Sequence, residues 1–287
     1  MAAVKDKISI IIVTHNSRPV LENCLTSLNG SLNGNHFEII NVDNRSSDDS
    51  PSHIRQHFPQ AKVIVNPKNV GFAAACNRAA KEATGEYLLF LNPDVIVDEN
   101  AIEQLVKAIK SREDAGVVVG RMRFPDGSFQ ATCRNFPQID NMLHSRGSVF
   151  SKLLRNGTAY TLPDYDVTTP IPAAAGTMMM LRNDLFNSVG GFDQRFFVFL
   201  EDVDLCLRLA LRGHKNYFVP SAGGVHLWGR GSSAGKLKRN WYHHWAVWKY
   251  FRKHYPTVFS LFVLPLVLAV NFLLVTLLPV PQPINRK

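Results

Sequence analysis

The chain contains no aspartate or glutamate after Asp204, although twelve lysines and arginines follow that residue. The first 204 of its 287 residues carry twenty basic and twenty-three acidic side chains, so the net charge of +9 arises from the C-terminal end. Positive charge concentrated in one part of a chain indicates a polyanionic partner, either a membrane surface or a nucleic acid.

Cysteine is also scarce. The four cysteines are far apart and none forms a Cys-x-x-Cys pair, which argues against a zinc site or a disulfide scaffold. We therefore expect a reducing, cytoplasmic compartment. The first residues lead into a strand-like segment without the apolar core of a signal peptide, so we expect that the catalytic part is not exported.

Two nucleotide-binding motifs are missing. No Gly-x-Gly-x-x-Gly follows the first predicted strand, which argues against a dinucleotide dehydrogenase. No Gly-x-x-x-x-Gly-Lys-Ser/Thr occurs, which removes the P-loop class. Any nucleotide site must therefore depend on carboxylates and other polar side chains instead of a glycine-rich cradle.

Residues 258–280 form an uncharged stretch of 23 residues. As a helix this stretch would be about 34 Å long, enough to cross the hydrocarbon core, so a membrane is favoured over nucleic acid as the partner. Pro265 and Asn271 interrupt the apolar pattern, and basic residues lie on both sides. A spanning helix and a kinked or re-entrant segment therefore both remain open.

An aromatic and basic segment, residues 236–255, precedes this stretch. Trp241, Trp245 and Trp248 recur at helical spacing among lysines, arginines and histidines. This composition is typical of a helix that lies in a membrane interface. The alternative is an aromatic stripe packed against the domain core.

Strands alternate with helices through the first 120 residues. Strands are predicted at residues 8–13, 37–42, 61–65, 87–91 and 117–120, and helices at residues 71–83 and 101–110. This alternation predicts an α/β fold with a mostly parallel sheet and helices on both faces. Right-handed crossovers place the strand-to-helix loops at one edge, so the loops 14–17, 43–48 and 92–94 should converge on one cleft.

Carboxylates follow two of these strands. Asp94 comes after a buried strand and a turn made by Pro93, where a single carboxylate suits a hard cation such as Mg²⁺. A Pro-Asp turn without a ligand is the alternative. Asp43 comes directly off the second strand and is a candidate ligand contact. Helix capping is its alternative role, although Asp48 fits that role better.

A second group of carboxylates opens a predicted helix. Glu201, Asp202 and Asp204 follow an apolar stretch and precede apolar positions at helical spacing. Acidic residues are favoured at a helix N-terminus by the dipole, but three in four residues exceed what a cap requires. A carboxylate held there can act as a general base for a hydroxyl nucleophile. Arg208, one turn later, is expected to pair with Asp204.

A histidine, His226, lies near the C-terminal end of the predicted folded domain. Within residues 225–233, His226 leaves an apolar segment and enters a glycine-rich loop. A lone histidine is usually structural, but His226 is also suited to complete a metal shell with Asp94, and Arg230 to contact a diphosphate.

Taken together, these motifs resemble those of the family-2 glycosyltransferases of the GT-A fold, over roughly residues 8–233. The segments that carry the resemblance are residues 12–16, 42–48, 69–77, 91–94, 190–193 and 199–204, together with His226. The resemblance implies a nucleotide-diphosphate-sugar donor, Mg²⁺ or Mn²⁺ held by Asp94 and His226, and Asp202 as the catalytic base. The substrate-binding residues that it implies are Thr14, Asn16, Asp43, Asn44, Asn77, Asn92, Glu201 and Arg230. Asn92 departs from the family's usual Asp-x-Asp, because it stands where the first aspartate would be.

Within that family the chain looks most like rhamnosyltransferases that extend polyprenyl-diphosphate-linked saccharides. The Gln-x-x-Arg-Trp motif of processive synthases is missing, so we expect an inverting transfer of one sugar, L-rhamnose from dTDP-rhamnose. A UDP-hexose or galactofuranose donor, a sugar nucleotidyltransferase and an inactive membrane-bound binding protein are the alternatives. We expect residues 1–235 to form the GT-A domain. Residues 236–287 are then the membrane-associated part, which places the enzyme on the cytoplasmic face of the plasma membrane, without a nucleic-acid partner.

Overall fold

A computed structural model describes residues 7–31, 36–143, 160–228 and 235–277 of the chain. The strands are β1 Lys7–Thr14, β2 His36–Asp43, β3 Lys62–Val65, β4 Tyr87–Leu91, β5 Val95–Val97, β6 Ala115–Arg123, β7 Phe129–Gln130, β8 Cys133–Arg134, β9 Thr169–Ile171, β10 Ala173–Ala174, β11 Met178–Arg182 and β12 Lys215–His226. The helices are α1 Arg18–Ser31, α2 Ser50–His57, α3 Phe72–Glu82, α4 Ala101–Lys110, α5 Ile139–Leu143, α6 Asn183–Ser188, α7 Glu201–Ala210, α8 Lys236–His254 and α9 Leu264–Leu277, with a π-helical segment Phe259–Val263 before α9.

The first half of the chain forms the parallel sheet that the alternation predicts. β3, β2, β1 and β4 lie side by side in that order and are all parallel. Val13 pairs with Val42, and Ile12 pairs with Leu91, so these strands end at the same edge. The loops that follow β1, β2 and β4 therefore begin at one edge, as predicted.

The second half makes the sheet mixed. β11 lies antiparallel between β4 and β6, and β12 runs parallel to β6 and pairs with the short antiparallel β5. β11 begins at the carboxyl edge of β4, where Met178 pairs with Leu91. Its reversed direction therefore brings the preceding residues, Gly176 and Thr177, to the edge where the parallel strands end.

Hydrophobic side chains of the strands alternate between two cores. Ile10 and Ile12 pack with apolar residues of α1 and α4 on one face of the sheet. Ile11 and Val13 pack with apolar residues of α3, α7 and α8 on the other face. All four are buried, and each contributes about 1.5–3 kcal/mol relative to an exposed side chain. The prediction of helices on both faces of the sheet is therefore confirmed.

The aromatic helix α8 packs against the domain core on one side and leaves tryptophans exposed on another, so a membrane interface stays a prediction. Ala246, Val247 and Tyr250 are buried within the same hydrophobic cluster as the sheet. Trp241 and Trp245, on another side of the helix, are 53% and 43% exposed. α8 thus packs against the α/β body, and the predicted boundary at residues 235 and 236 remains a proposal for where the membrane-facing part begins.

A buried aspartate joins α8 to α7. The Asp204 carboxylate is fully buried and accepts a hydrogen bond from Arg208 Nε at 2.8 Å, which confirms the predicted pair. From α8, Lys253 Nζ reaches Asp204 at 2.5 Å and Asp193 at 2.7 Å, and His254 Nε2 lies 2.7 Å from Asp204. Burial alone would raise the pKa of Asp204, but these partners outweigh burial and lower it.

The C-terminal helix is apolar and mostly exposed. Residues Phe259–Leu277 form one helical run, which is long and apolar enough to cross a membrane. Asn271 Nδ2 lies 2.9 Å from His244 Nε2 on α8, and the Phe272 ring contacts Trp241 edge to face. α8 and α9 therefore form a helical hairpin, while Leu266, Leu273 and Leu277 face outward.

We expect Lys253→Met to lower the free energy of unfolding by about 1–3 kcal/mol, measured by urea denaturation at neutral pH. The substitution leaves the buried Asp204 carboxylate with two of its three partners, and incomplete pairing of a buried charge is costly. Arg252→Met is the matched control, because Arg252 is the exposed neighbour on the same helix. Equal stability of the two variants would contradict the proposed importance of the Asp204 cluster.

Candidate active site

The carboxyl ends of β1 and β2 hold Thr14 and Asp43 together. Both side chains are fully buried, and Thr14 Oγ1 lies 3.0 Å from Asp43 Oδ2. Asp43 Oδ1 accepts the backbone N–H of Ser46 at 2.8 Å, so the carboxylate also shapes the loop after β2. The structure thus places both predicted nucleotide-side residues at the expected edge, with hydrogen-bond partners within the protein.

Two predicted ligand amides bind neighbouring loops. Asn16, in the left-handed region with φ 56°, accepts the Ser47 backbone N–H on Oδ1 at 2.6 Å. Asn44 donates to the carbonyl oxygen of Gly71 at 3.1 Å and accepts from Asn66 at 2.8 Å. These amides therefore hold together the loops that follow β1, β2 and β3.

Asn77 has a structural position on α3. Its Nδ2 donates to the Phe192 carbonyl oxygen at 2.7 Å, and its Oδ1 accepts the Phe192 N–H at 2.9 Å. A Cβ at Gly191, whose φ is 68°, would lie only 2.7 Å from Asn77 Oδ1, so glycine is required for this approach. The Asn77 amide thus fixes the Gly191–Phe192 backbone, and its contact with substrate stays a prediction.

Asp94 and His226 meet on one side of the sheet edge. In the β5–β12 pair His226 lies opposite Val95, and the Leu227 N–H donates to the Asp94 carbonyl oxygen at 2.9 Å. This register brings His226 Nε2 to 3.3 Å from Asp94 Oδ1, with both side chains largely buried. The two residues predicted to share a metal are therefore neighbours.

The donor atoms of this pair suit a hard divalent cation. Two cis ligands of an octahedral ion at about 2.1 Å are about 3.0 Å apart, close to the observed separation. Within the described ranges no group of three or more histidine, cysteine, aspartate or glutamate side chains could hold a metal. Asp94 and His226 thus fit an ion that takes its other ligands from substrate and water.

Sequence reasoning missed a glutamine beside this pair. Gln130, on β7, is 2% exposed, and its Oε1 lies 2.6 Å from His226 Nδ1. It follows a hairpin turn at residues 124–128, in which the Phe124 N–H donates to Ser128 O. A single polar residue in an irregular stretch carries no sequence signal of its own.

Backbone contacts also position Asp202 at the start of α7. The Gly176 N–H donates to Asp202 Oδ2 at 2.8 Å, and the Val203 N–H donates to Oδ1 at 2.7 Å. The preceding Phe199 and Leu200 both have left-handed φ values, 72° and 65°, which cost of order 1–3 kcal/mol each. The chain therefore enters α7 through a strained turn that presents Asp202 to Gly176.

Glu201 differs from its neighbour Asp202. It is 5% exposed, and its Oε2 has no hydrogen-bond partner among the described residues. Burial, and then the nearby Asp202 charge, raises the pKa of Glu201 well above its usual range. Glu201 therefore favours its neutral form more strongly than an exposed glutamate does.

Arg134 is a second residue that the sequence did not reveal. It lies on β8 with its guanidinium 5.7 Å from the Tyr160 ring centroid. Burial works against its charge, but Tyr160, Asp202 and Glu201 together raise the pKa of Arg134. The positive charge of Arg134 therefore offsets the negative charge of the carboxylates at the start of α7. The stretch around Arg134 contains no motif, so no sequence signal points to this role.

The segment Gly176–Thr177 connects the loop after β4, which carries Asp94, with the start of α7, which carries Asp202. Thr177 accepts the Asn92 N–H on its carbonyl oxygen at 2.9 Å, while the adjacent Gly176 donates to Asp202. Asn92 itself is half-buried, two residues before Asp94. The structure therefore brings the loop after β4 and the start of α7 to the same place. Arg230, the remaining predicted contact, lies outside the described residues.

Comparison with known proteins identifies relatives of this chain. Residues 9–190 match the family model described as glycosyl transferase family 2. The chain is 29% identical over 234 residues to the N-acetylglucosaminyl-diphospho-decaprenol L-rhamnosyltransferase of Mycobacterium tuberculosis, covering 77% of this chain and 76% of that protein. It is 30% identical over 225 residues to the rhamnosyltransferase WbbL of Escherichia coli, covering 76% and 82%.

A solved structure shares the fold. The mannosyltransferase PcManGT from Pyrobaculum calidifontis, in complex with GDP-Man and Mn²⁺, has a TM-score of 0.59 at 18% identity. The match covers 96% of this chain and 74% of that one. At this identity the likeness concerns the fold alone, and it confirms the GT-A architecture.

We expect Glu201→Gln to stabilise the protein increasingly as pH rises from 4.5 to 8, measured by thermal melts. The raised pKa means that folded Glu201 binds its proton more tightly than the unfolded chain. Its stabilising contribution is therefore complete below the unfolded pKa of about 4.3 and is lost as pH rises through the folded pKa. The variant should gain at least about 2–4 °C over wild type at pH 8. Glu113→Gln, at an exposed site, is the control. A difference that does not change with pH would contradict the assignment.

Proposed function

The chain belongs to glycosyl transferase family 2, and we propose that it transfers one L-rhamnose from dTDP-rhamnose to a saccharide on a polyprenyl diphosphate, with inversion. The observation that carries the proposal is the link through Gly176 and Thr177, which brings Asp202 and the Asp94 loop together. The choice of sugar and acceptor is supported by the two relatives named as rhamnosyltransferases, one of them acting on a decaprenol-linked sugar.

Asp202 is the proposed base. Each of its oxygens accepts one backbone N–H, which fixes the carboxylate and leaves a lone pair on each oxygen. Asp202 removes the proton of the acceptor hydroxyl as that oxygen bonds to the anomeric carbon. The bond from this carbon to the diphosphate oxygen breaks with its electron pair, and nucleoside diphosphate leaves. Because one displacement occurs on the face opposite the leaving group, the anomeric configuration inverts.

Asp94 and His226 are the proposed holders of a divalent cation, Mg²⁺ or Mn²⁺. When bound, such an ion supplies positive charge against the leaving diphosphate. Thr14, Asn16, Asp43 and Asn44 form the proposed nucleotide side of the cleft, through the loop surfaces that they shape. Asn77, Asn92, Glu201 and Arg230 are the remaining proposed substrate contacts.

The C-terminal hairpin is the proposed membrane contact. Trp241 and Trp245 are exposed on α8, and Lys249 lies 5.5 Å from the Trp245 ring. Amphipathic aromatic residues beside basic ones favour an interface with anionic lipid. A lipid-linked acceptor is reached from that surface. The four cysteines are free and buried, which suits the reducing cytoplasmic face.

A donor panel tests the proposed activity. Purified protein is incubated with a polyprenyl-diphosphate-linked saccharide, Mg²⁺ or Mn²⁺, and dTDP-, UDP- or GDP-sugars. We expect release of dTDP from dTDP-rhamnose at the highest rate. Release of UDP from a UDP-hexose or UDP-galactofuranose would replace the donor assignment, and no diphosphate release with any donor would indicate an inactive binding protein.

In the same assay we expect Asp202→Asn to reduce kcat by at least about 10³-fold while thermal shifts by dTDP stay close to wild type. The amide keeps the shape of the side chain but cannot accept the acceptor proton, and general bases contribute about 10²–10⁴-fold. Asp184→Asn, at an exposed position on α6, is the control. Full activity of Asp202→Asn would sink the assignment of the base.

A chain ending at Thr257 tests the membrane contact. We expect it to lose most co-sedimentation with anionic vesicles, because the exposed apolar face of α9 is removed while α8 retains its ion pairs with Asp204. Circular dichroism verifies that the shortened protein is folded. Sedimentation equal to that of the full chain would refute α9 as the anchor and place the membrane contact before residue 258.

A further inference from the structure

The imidazole of His226 lies between an amide and a carboxylate. Its Nδ1 is 2.6 Å from Gln130 Oε1, and its Nε2 is 3.3 Å from Asp94 Oδ1. Gln130 is 2% exposed, so bulk water does not compete for this contact. The two ring nitrogens therefore have different partners within the protein.

Only one nitrogen of a neutral imidazole carries a proton. The 2.6 Å contact with Gln130 is a hydrogen bond, whereas the 3.3 Å separation from Asp94 exceeds the usual range for N–H···O. The proton is therefore best placed on Nδ1, donating to Gln130. This leaves the Nε2 lone pair directed towards the Asp94 side, where a cation can accept it.

We propose that Gln130 is a positioning residue, which holds His226 in the Nδ1–H tautomer and thereby presents Nε2 to the cation; this inference rests on the proposed metal role of His226 and Asp94. Hydrogen bonds to the second nitrogen commonly orient metal-binding histidines. An amide does so without adding negative charge, so the charge of the ion remains available to the donor diphosphate.

Strand register explains why Gln130 reaches this histidine. Gln130 lies opposite Met122 in the β6–β7 pair, and Met122 lies opposite Gly224 in the β6–β12 pair. Gln130 is thus two strands away from the end of β12, where His226 is located. The Gln130 Nε2 is buried without a hydrogen-bond partner among the described residues. Among those residues, therefore, only His226 orients the Gln130 amide.

The tautomer can be measured directly. Long-range ¹H–¹⁵N spectra of the metal-free protein distinguish Nδ1–H from Nε2–H imidazole, and His226→Gln identifies the His226 signals. We expect Nδ1–H in wild type. Gln130→Leu removes the acceptor and should shift His226 towards Nε2–H. Gln130→Glu keeps an acceptor oxygen at this position and should retain Nδ1–H.

Metal affinity provides the second measurement. In Mn²⁺ titrations followed by electron paramagnetic resonance with dTDP present, Gln130→Leu should bind Mn²⁺ about 10–100-fold more weakly than wild type. Gln130→Glu should restore most of the affinity, and Gln138→Leu, at an exposed site, is the control. Recovery with Gln130→Glu separates loss of the acceptor from a general failure to fold.

The outcomes separate this inference from the proposed function. An Nε2–H tautomer in wild type, or a tautomer and Mn²⁺ affinity that do not respond to Gln130→Leu, would overturn the positioning role. Wild-type protein that binds no Mn²⁺, although its tautomer follows Gln130, would instead overturn the metal role proposed for Asp94 and His226.

Discussion

The backbone of Gly176 and Thr177 is the connection on which the site depends. Thr177 accepts a hydrogen bond from Asn92, and Gly176 donates one to Asp202. These residues reach the edge only because β11 runs antiparallel to β4 and begins where β4 ends. A parallel strand inserted between β4 and β6 would present its last residues there instead. The antiparallel direction of β11 therefore brings the loop after β4 to the start of α7.

Helix α7 also connects the site to the C-terminal hairpin. In the first turn of α7, Asp202 lies beside Gly176, and two residues later Asp204 binds Lys253 and His254 of α8. A fully buried carboxylate requires such partners, because an unpaired charge in the interior is strongly unfavourable. α8 then leads into the apolar α9. The position of the proposed base and the docking of the proposed membrane contact thus depend on one turn of helix.

The sequence predicted the parts of this structure that follow from local patterns. Apolar runs located β1, β2 and β4, and the carboxyl-edge rule placed Thr14, Asp43 and Asp94 at one edge. The sequence did not reveal Gln130 or Arg134, because their positions depend on the pairing of strands within the irregular region after β6. Nor did it reveal that the Asn77 amide binds the backbone of Phe192, since an amide looks the same in sequence whatever it contacts.

Asn92 has a consequence for the charge of the proposed metal site. With an amide at position 92, Asp94 is the one carboxylate of the proposed metal site, and a neutral His226 adds no charge. A divalent ion held by these residues retains a net charge of about +1, whereas a second carboxylate would neutralise it. The retained charge would attract the nucleoside diphosphate of the proposed donor, which would supply the missing oxygen ligands. Ion and donor should therefore bind cooperatively, each increasing the affinity of the other by the same factor.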